Sequence, residues 1–190
     1  MKKLYIHVGQ PKTGTTSIQR ASYKNSEYLR SRGVLYPNSG IQGFAHPSIV
    51  GVNKECLNID IDWIEKVDKA TFIANFIAEV ETSGCSKVLI SSEAFRPILV
   101  KNLLDDLPGF QPVIIILLRR QDHFLESRLN QQIKTNRIQP TDEELIALDP
   151  RDYHSSLNYF SLVEAYSEIV GQENVLPLPF EEEQMDGDLL

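Results

Sequence analysis

The sequence predicts an α/β fold, in which a central and mainly parallel sheet lies between two layers of helices. Segments with strand-like and helix-like patterns alternate along the chain, as parallel strands joined by helices require. The run from Val113 to Leu118 is apolar throughout, which leaves no solvated face and is typical of a buried central strand. A length of 190 residues without an internal repeat fits a single domain over 1–190.

The first half of the chain contains the signals for three strands and two helices. Leu4, Ile6 and Val8 alternate as in a strand over 4–8, and Gly33 ends a helix predicted over 17–32. A short strand over 34–36 closes at Pro37. The segment 38–62 is rich in Gly, Asn, Ser and Pro, which predicts a long functional loop. A helix over 71–83, apolar on one face, and a strand over 87–91 follow.

The second half continues the alternation. Thr141 with Glu144 forms a capping box for a short helix over 142–148, and Gly171 ends a long one. Pro177 argues for an edge position of the last strand because proline donates no backbone hydrogen bond. The predicted elements are helices over 97–107, 121–137, 142–148 and 153–170, and strands over 112–118 and 175–178.

Composition and charge exclude several classes of protein. The net charge of −7 argues against a general nucleic-acid surface, which needs a basic face. Cys56 and Cys85 lie far apart without a C-x-x-C spacing, so neither a disulfide scaffold nor a structural zinc site is expected. His7, Gln10 and Lys12 interrupt the first apolar run too early for a signal peptide, and no apolar run reaches membrane-spanning length. We therefore expect a cytoplasmic protein.

The segment LYIHVGQPKTGTTS at 4–17 predicts a phosphate site. A strand runs into a loop bounded by Gly9 and Gly14, and a helix follows. The first backbone N–H groups of a helix lack helical partners, and together with the helix dipole they favour an anion. Lys12 adds a positive charge within the loop. The N–H groups expected to bind belong to Gly14, Thr15, Thr16 and Ser17.

The position of the lysine separates this loop from that of nucleoside triphosphatases. Their pattern places lysine directly after the second glycine, where this chain has Thr15. The sequence instead resembles the 5′-phosphosulfate loop of sulfotransferases that use 3′-phosphoadenosine-5′-phosphosulfate (PAPS). The matching residues are Pro11, Lys12, Thr13, Gly14, Thr15 and Thr16.

The resemblance extends to later segments in family order. VLISSEAF at 88–95 and RRQDHFLESRLNQQIK at 119–134 are similar to bacterial-type sulfotransferases. The resemblance implies a P-loop-like fold. It also implies that Arg119 and Ser127 hold the 3′-phosphate of PAPS. Family members often have proline where this chain has Gln121. The alternative is a solvated helix face with ion pairs to Asp122 and Glu126, formed by Arg119, Arg120, Arg128 and Lys134.

The implied reaction transfers a sulfuryl group to a hydroxyl or amine of a carbohydrate, lipid or small-molecule acceptor, without a metal. Lys12 is expected to stabilise the leaving phosphate. Two candidates remain for the base. Glu93 follows a strand at the end where α/β sheets bind ligands, and His46 lies in the long loop with a suitable ordinary pKa.

Three functions stay open at this level. The first is the PAPS-dependent sulfotransferase. The second is a kinase or hydrolase of nucleoside triphosphates, for which Thr15 stands in place of the required lysine. The third is a non-catalytic or truncated nucleotide-binding member of the family. Family members usually continue beyond the position of Leu190 with a segment that completes the nucleotide pocket. The acceptor and the oligomeric state are not predicted.

Overall fold

The computed structural model describes residues 1–51, 68–135 and 154–181. In these ranges the strands are β1 (Lys2–Val8), β2 (Val34–Leu35), β3 (Lys87–Ser92), β4 (Phe110–Leu118) and β5 (Val175–Pro179). The helices are α1 (Thr15–Lys24), α2 (Ser26–Ser31), α3 (Ser48–Gly51), α4 (Lys69–Thr82), α5 (Pro97–Asp106), α6 (Gln121–Lys134), α7 (His154–Leu157) and α8 (Tyr159–Val170), followed by a 3₁₀ turn (Gln172–Asn174).

The five strands form one parallel sheet in the order β2-β3-β1-β4-β5. The predicted α/β class and parallel sheet are confirmed. Pro177 lies in the edge strand β5, as expected. The strand predicted as central, β4, is interior, but β1 holds the middle position. The chain builds β2 and β3 on one side of β1 and then crosses to form β4 on the other, so the carboxyl ends of β1, β3 and β4 meet where α/β folds bind ligands.

The main core lies on one face of this sheet. Leu4, Ile6 and Val8 of β1 are at most 1% exposed. Burial of each such side chain contributes about 1.5–3 kcal/mol. Helix α4 buries Phe72 and Phe76 in the same cluster, as the apolar spacing over 71–83 predicted. The opposite face is covered by α1, which contacts the sheet through Gln19 and Ser91.

Two predicted helices are each divided. The helix expected over 17–32 is broken at Asn25, which ends α1 and precedes α2. The long helix expected over 153–170 is divided at Asn158, whose side chain accepts a hydrogen bond from the Ser161 N–H and caps α8. Asparagine favours such caps because its side chain competes with the helical backbone. The helix predicted over 142–148, with Thr141 and Glu144, lies outside the described residues, as does 52–62 of the long loop.

Candidate active site

The loop between β1 and α1 turns through two left-handed backbone conformations. Gly14 has φ 65°, and Lys12 has φ 69°, a region that residues with a Cβ rarely adopt. The Thr13 and Thr15 hydroxyls donate to the Gln10 carbonyl at 2.7 and 3.0 Å. These bonds hold the loop curled, and left-handed residues within such a turn direct successive N–H groups into a concave anion site.

Glycine is required at position 9 by crowding. A Cβ there would lie 2.5 Å from Thr15 Cγ2 and 2.8 Å from Glu93 Cγ. The Gly9 N–H continues the β1–β3 ladder by donating to the Ser92 carbonyl at 3.1 Å. The absence of a side chain thus brings the β1–α1 loop against Glu93, the residue that follows β3.

We expect Gly9→Ala to lower the free energy of unfolding by about 1–3 kcal/mol, because the methyl group overpacks a site with backbone on one side. Urea denaturation measures this change. Gly109→Ala is the matched control, since a Cβ at Gly109 meets nothing within 4 Å. Equal stability of the two variants would contradict the assigned crowding.

The first turn of α1 carries no competing negative group. Gly14 is its N-cap, no side chain caps the helix, and no acidic residue lies in the first turn. Helical geometry leaves the N–H groups of Thr15, Thr16 and Ser17 without intrahelical partners. Thr16 is exposed, whereas Thr15 is buried. The helix therefore presents its positive end beside Lys12 and the half-buried Pro11.

Arg119 joins the end of β4 to this loop. Its Nη1 donates to the Lys12 carbonyl at 3.1 Å, and the Tyr159 hydroxyl donates to the Arg119 carbonyl at 2.7 Å. Ser127 is half-buried on the second turn of α6. Arg120 instead pairs with Asp122, which holds the pKa of that carboxyl down at about 2. The two adjacent arginines thus have different environments, one at the loop and one at the surface.

A carboxylate already occupies the start of α6. Glu181 accepts hydrogen bonds from the Arg120 N–H at 2.6 Å and from His123 Nδ1 at 3.2 Å. The Arg120 N–H lowers the pKa of Glu181, with His123 contributing in the same direction. This glutamate was not singled out from sequence, because 61 positions separate it from Arg120.

Glu93 lies directly after β3, beside the β1–α1 loop. Partial burial raises the pKa of its carboxyl, and the Thr15 hydroxyl, Lys12 and Arg96 partly oppose this rise. The residue remains accessible to solvent. A carboxylate whose pKa is raised, with a cation nearby and access to solvent, has the properties of a general base.

His46, the other predicted base, is fully buried. The Ser91 N–H donates to its Nδ1 at 3.2 Å, so Nε2 carries the hydrogen and donates to the Pro37 carbonyl at 2.9 Å. Burial lowers the pKa of His46 to about 4. Its backbone N–H also donates to the Ser91 carbonyl at 2.8 Å. These bonds attach the loop around 37–46 to the end of β3.

A second buried histidine lies on the other side of Ser91. His7 Nδ1 is 2.7 Å from Ser91 Oγ, and Gln19 Nε2 donates to the same oxygen at 3.2 Å. The Ser91 hydroxyl therefore hydrogen-bonds to both His7 and Gln19. Burial lowers the pKa of His7 to about 4. Neither Gln19 nor Ser91 was predicted from the sequence as a site residue. The spacing of Thr15 and Gln19, four residues apart on one helix face, is the signal that would have found Gln19.

The two histidines predict a loss of stability in mild acid. Each remains neutral in the folded protein down to about pH 4, whereas an unfolded histidine binds a proton below about pH 6.5. Their contribution is therefore complete above pH 6.5 and falls between pH 6.5 and 4, by about 3 kcal/mol for each histidine.

Urea unfolding between pH 7.5 and 5 measures this dependence, with His7→Gln as the comparison. The variant lacks one titrating group, so its stability is expected to fall less steeply, by about 1.4 kcal/mol per pH unit. Identical slopes for the variant and the parent chain would show that His7 is not held neutral.

An open cleft of about 400 Å³ adjoins Glu93 and the first turn of α1. Its walls come from α1, from the turn at 42–47 and from the end of β3. Residues of the predicted functional loop 38–62 thus contribute to it. The lining side chains include Thr16, Gln19, Gln42, Ala45, Ser92 and Glu93.

The described residues contain neither a cluster suited to a metal ion nor a helix suited to span a membrane. In 1–51, 68–135 and 154–181, no three His, Cys, Asp or Glu side chains are grouped to hold a metal ion. No helix within these same ranges is both long and apolar enough to cross a membrane. The cytoplasmic location stays a prediction.

Comparison with known proteins supports the fold. No protein-family model matches this chain, and no curated protein matches it. A sulfotransferase from Alicyclobacillus acidocaldarius superposes with a TM-score of 0.54 at 18% identity, covering 96% of this chain and 74% of that one. A gluconokinase from Sinorhizobium meliloti 1021 gives 0.37 at 14% identity, covering 95% and 83%. The chain thus has a P-loop-like α/β fold of the kind found in a sulfotransferase.

Proposed function

We propose that this protein transfers a sulfuryl group from PAPS to a hydroxyl group of an acceptor. The observation that carries the proposal is the meeting of three groups at the carboxyl ends of adjacent strands. The β1–α1 loop presents Lys12 and helix N–H groups, Arg119 bonds to the Lys12 carbonyl, and Glu93 lies against the loop.

The loop residues fit the phosphosulfate end of the donor. The loop backbone is already curled by the hydrogen bonds of the Thr13 and Thr15 hydroxyls. Little conformational entropy is therefore lost when an anion binds to the loop. Lys12 and the N–H groups of Thr16 and Ser17 supply positive charge and donors. When bound, PAPS supplies an activated sulfuryl group with a phosphate as its leaving group.

We assign the 3′-phosphate to Arg119 and Ser127. The bond to the Lys12 carbonyl uses one of the five N–H donors of the guanidinium, so Arg119 can hold the loop and bind a phosphate together. Arg120 does not suit this role because it pairs with Asp122 at the surface. The half-buried Ser127 supplies a hydroxyl donor on α6.

Glu93 is the base in this proposal, and His46 has a positioning role. Both ring nitrogens of His46 are hydrogen-bonded within a fully buried site. Glu93 has access to solvent and adjoins the cleft. The acceptor oxygen forms a bond to sulfur while its proton passes to the Glu93 carboxylate, and the sulfur–oxygen bond to the phosphate breaks. Lys12 stabilises the charge that develops on that phosphate.

Calorimetric titration with 3′-phosphoadenosine-5′-phosphate tests the donor site, with 5′-AMP and ATP as comparisons. We expect the bisphosphate to bind at least tenfold more tightly than 5′-AMP. Ser127→Ala should reduce this preference, since each charge-assisted hydrogen bond contributes about 1.5–3 kcal/mol. Tighter binding of ATP would favour the kinase or hydrolase. Bisphosphate binding without transfer to any acceptor would favour the non-catalytic member.

A further inference from the structure

The junction between β4 and α6 is hydrogen-bonded to the rest of the fold at four successive residues, 118–121. Their partners lie in two segments that come later in the chain, 157–159 and 180–181. The bonds run from the Phe180 N–H to the Leu118 carbonyl at 2.7 Å, from the Tyr159 hydroxyl to the Arg119 carbonyl at 2.7 Å, from the Arg120 N–H to Glu181 Oε1 at 2.6 Å and from Gln121 Nε2 to the Leu157 carbonyl at 2.8 Å. A junction held at each of these residues has little backbone freedom.

Two of these bonds hold a single peptide group. The Arg119 carbonyl and the Arg120 N–H belong to one planar unit. Tyr159 holds the oxygen of this unit, and Glu181 holds its N–H. The preceding peptide group is held through the Leu118 carbonyl. The direction in which the Arg119 side chain leaves the backbone is therefore fixed by peptide groups on both sides of its Cα.

Glu181 also completes the start of α6. Arg120 is the N-cap of this helix, and its own side chain makes no capping hydrogen bond. In a capping box, a glutamate of the first turn bonds back to the N-cap N–H. Glu181 supplies that carboxylate from a distant segment and also accepts from His123 Nδ1 at 3.2 Å. The Arg120 N–H lowers the pKa of Glu181, so the group that holds the peptide is ionised at neutral pH.

Tyr159 reaches the same peptide group from α8. Its side chain is half-buried, and burial raises the pKa of its hydroxyl, to which the charge of Glu181 adds. The hydroxyl therefore keeps its hydrogen near neutral pH and donates it to the Arg119 carbonyl. The second tyrosine of α8, Tyr166, instead donates to the Phe95 carbonyl at 3.3 Å, away from the junction.

The far end of the Arg119 side chain is held as well. Its Nη1 donates to the Lys12 carbonyl at 3.1 Å, so the side chain is tied both at its backbone and at its guanidinium. This bond leaves further N–H donors of the guanidinium for a phosphate. An arginine that is ordered before the ligand arrives loses less conformational entropy on binding.

We propose that Tyr159 and Glu181 are positioning residues for Arg119, and that they make the donor site selective for a nucleotide with a 3′-phosphate. This rests on the proposed function, which assigns that phosphate to Arg119. Both residues act through the peptide group between Arg119 and Arg120 rather than through contact with the nucleotide.

Calorimetric titration with 3′-phosphoadenosine-5′-phosphate and with 5′-AMP measures this selectivity as the ratio of the two dissociation constants. We expect Tyr159→Phe, which removes only the hydroxyl, to lower the selectivity about twofold to tenfold, the range that corresponds to one neutral hydrogen bond. The affinity for 5′-AMP should stay the same. Tyr166→Phe removes a hydroxyl from the same helix and should leave the selectivity unchanged.

Glu181 is tested by two replacements. Glu181→Ala removes the acceptor and should lower the selectivity, whereas Glu181→Gln keeps an acceptor oxygen and should restore most of it. In an Arg119→Ala background, Tyr159→Phe should have no further effect, because residues that act through one another are not additive. Tyr159→Phe and Glu181→Gln each alter a single heavy atom, so both variants should fold.

Parent-like selectivity in both Tyr159→Phe and Glu181→Ala would overturn the proposal. Equal losses of affinity for both nucleotides would also overturn it, because they indicate a structural role alone. Relaxation of the Arg119 Nε–H group, measured by ¹⁵N NMR without ligand, separates the two proposals. Loss of Arg119 order in Tyr159→Phe, with no preference for the bisphosphate in the parent chain, sinks the proposed donor and keeps the positioning role. Retained order in the variant, with a clear preference in the parent chain, sinks only the positioning role.

Discussion

Replacing Glu93 with glutamine is expected to lower kcat for sulfuryl transfer by about 10²–10⁴, the usual contribution of a positioned general base. Glutamine keeps the shape of the side chain, so the contact with the loop at Gly9 is retained. Burial already disfavours the charged carboxyl, and the neutral amide should therefore fold as well as the parent. Steady-state kinetics of transfer from PAPS to a hydroxyl acceptor measures the loss.

The pH dependence of the transfer activity provides a second test of Glu93. A base must be deprotonated, so activity should fall as the pH drops through the raised pKa of Glu93. Glu81→Gln, on the exposed side of α4, is the matched control and should keep full activity. Retention of activity in Glu93→Gln, with bisphosphate binding intact, would remove Glu93 from the catalytic role.

Replacing Lys12 with alanine is expected to lower kcat/KM by about 10²–10³, the loss typical when one group that stabilises transition-state charge is removed. The folded state should tolerate the change. Lys12 already adopts a left-handed conformation at φ 69°, and alanine keeps the same backbone cost. We expect the free energy of unfolding to change by no more than about 0.5 kcal/mol.

Lys12→Gly separates the charge from the backbone. Glycine adopts the left-handed region without strain, so this variant should fold well and be as inactive as Lys12→Ala. Lys24→Ala, at the exposed end of α1, controls for loss of positive charge on the same helix and should be fully active. Parent-like activity in Lys12→Ala would leave the loop without a catalytic role, as the non-catalytic alternative requires.

Local pattern predicted the strands and helices well where packing agreed with it. The apolar spacing of Phe72 and Phe76 predicted α4, and Pro177 predicted an edge strand. The divisions at Asn25 and Asn158 were not predicted, because an asparagine within a periodic segment becomes a cap only when the following helix packs in a new direction.

Some parts of the candidate site could be predicted from the sequence and others could not, because some of its residues are close in sequence and others meet only through packing. The loop around Lys12 is contiguous in sequence, so the motif contains its geometry. The choice between Glu93 and His46 depended on burial, which follows from the packing of 37–46 onto β3. The arrangement of His7, Ser91 and Gln19 joins three distant segments, and no local spacing encodes their distances.

The sequence by itself determined the alternation of strands and helices, the turn between β1 and α1 and the positive charge at Lys12, because each depends on neighbours within a few positions. The tertiary structure alone decided the order of the strands, the environments of the two histidines, the bond from Arg119 to Lys12 and the cleft beside Glu93. Parallel strands are joined by long crossovers, so residues far apart in the chain share one sheet edge. Burial and hydrogen bonding at that edge then set which groups are available for chemistry.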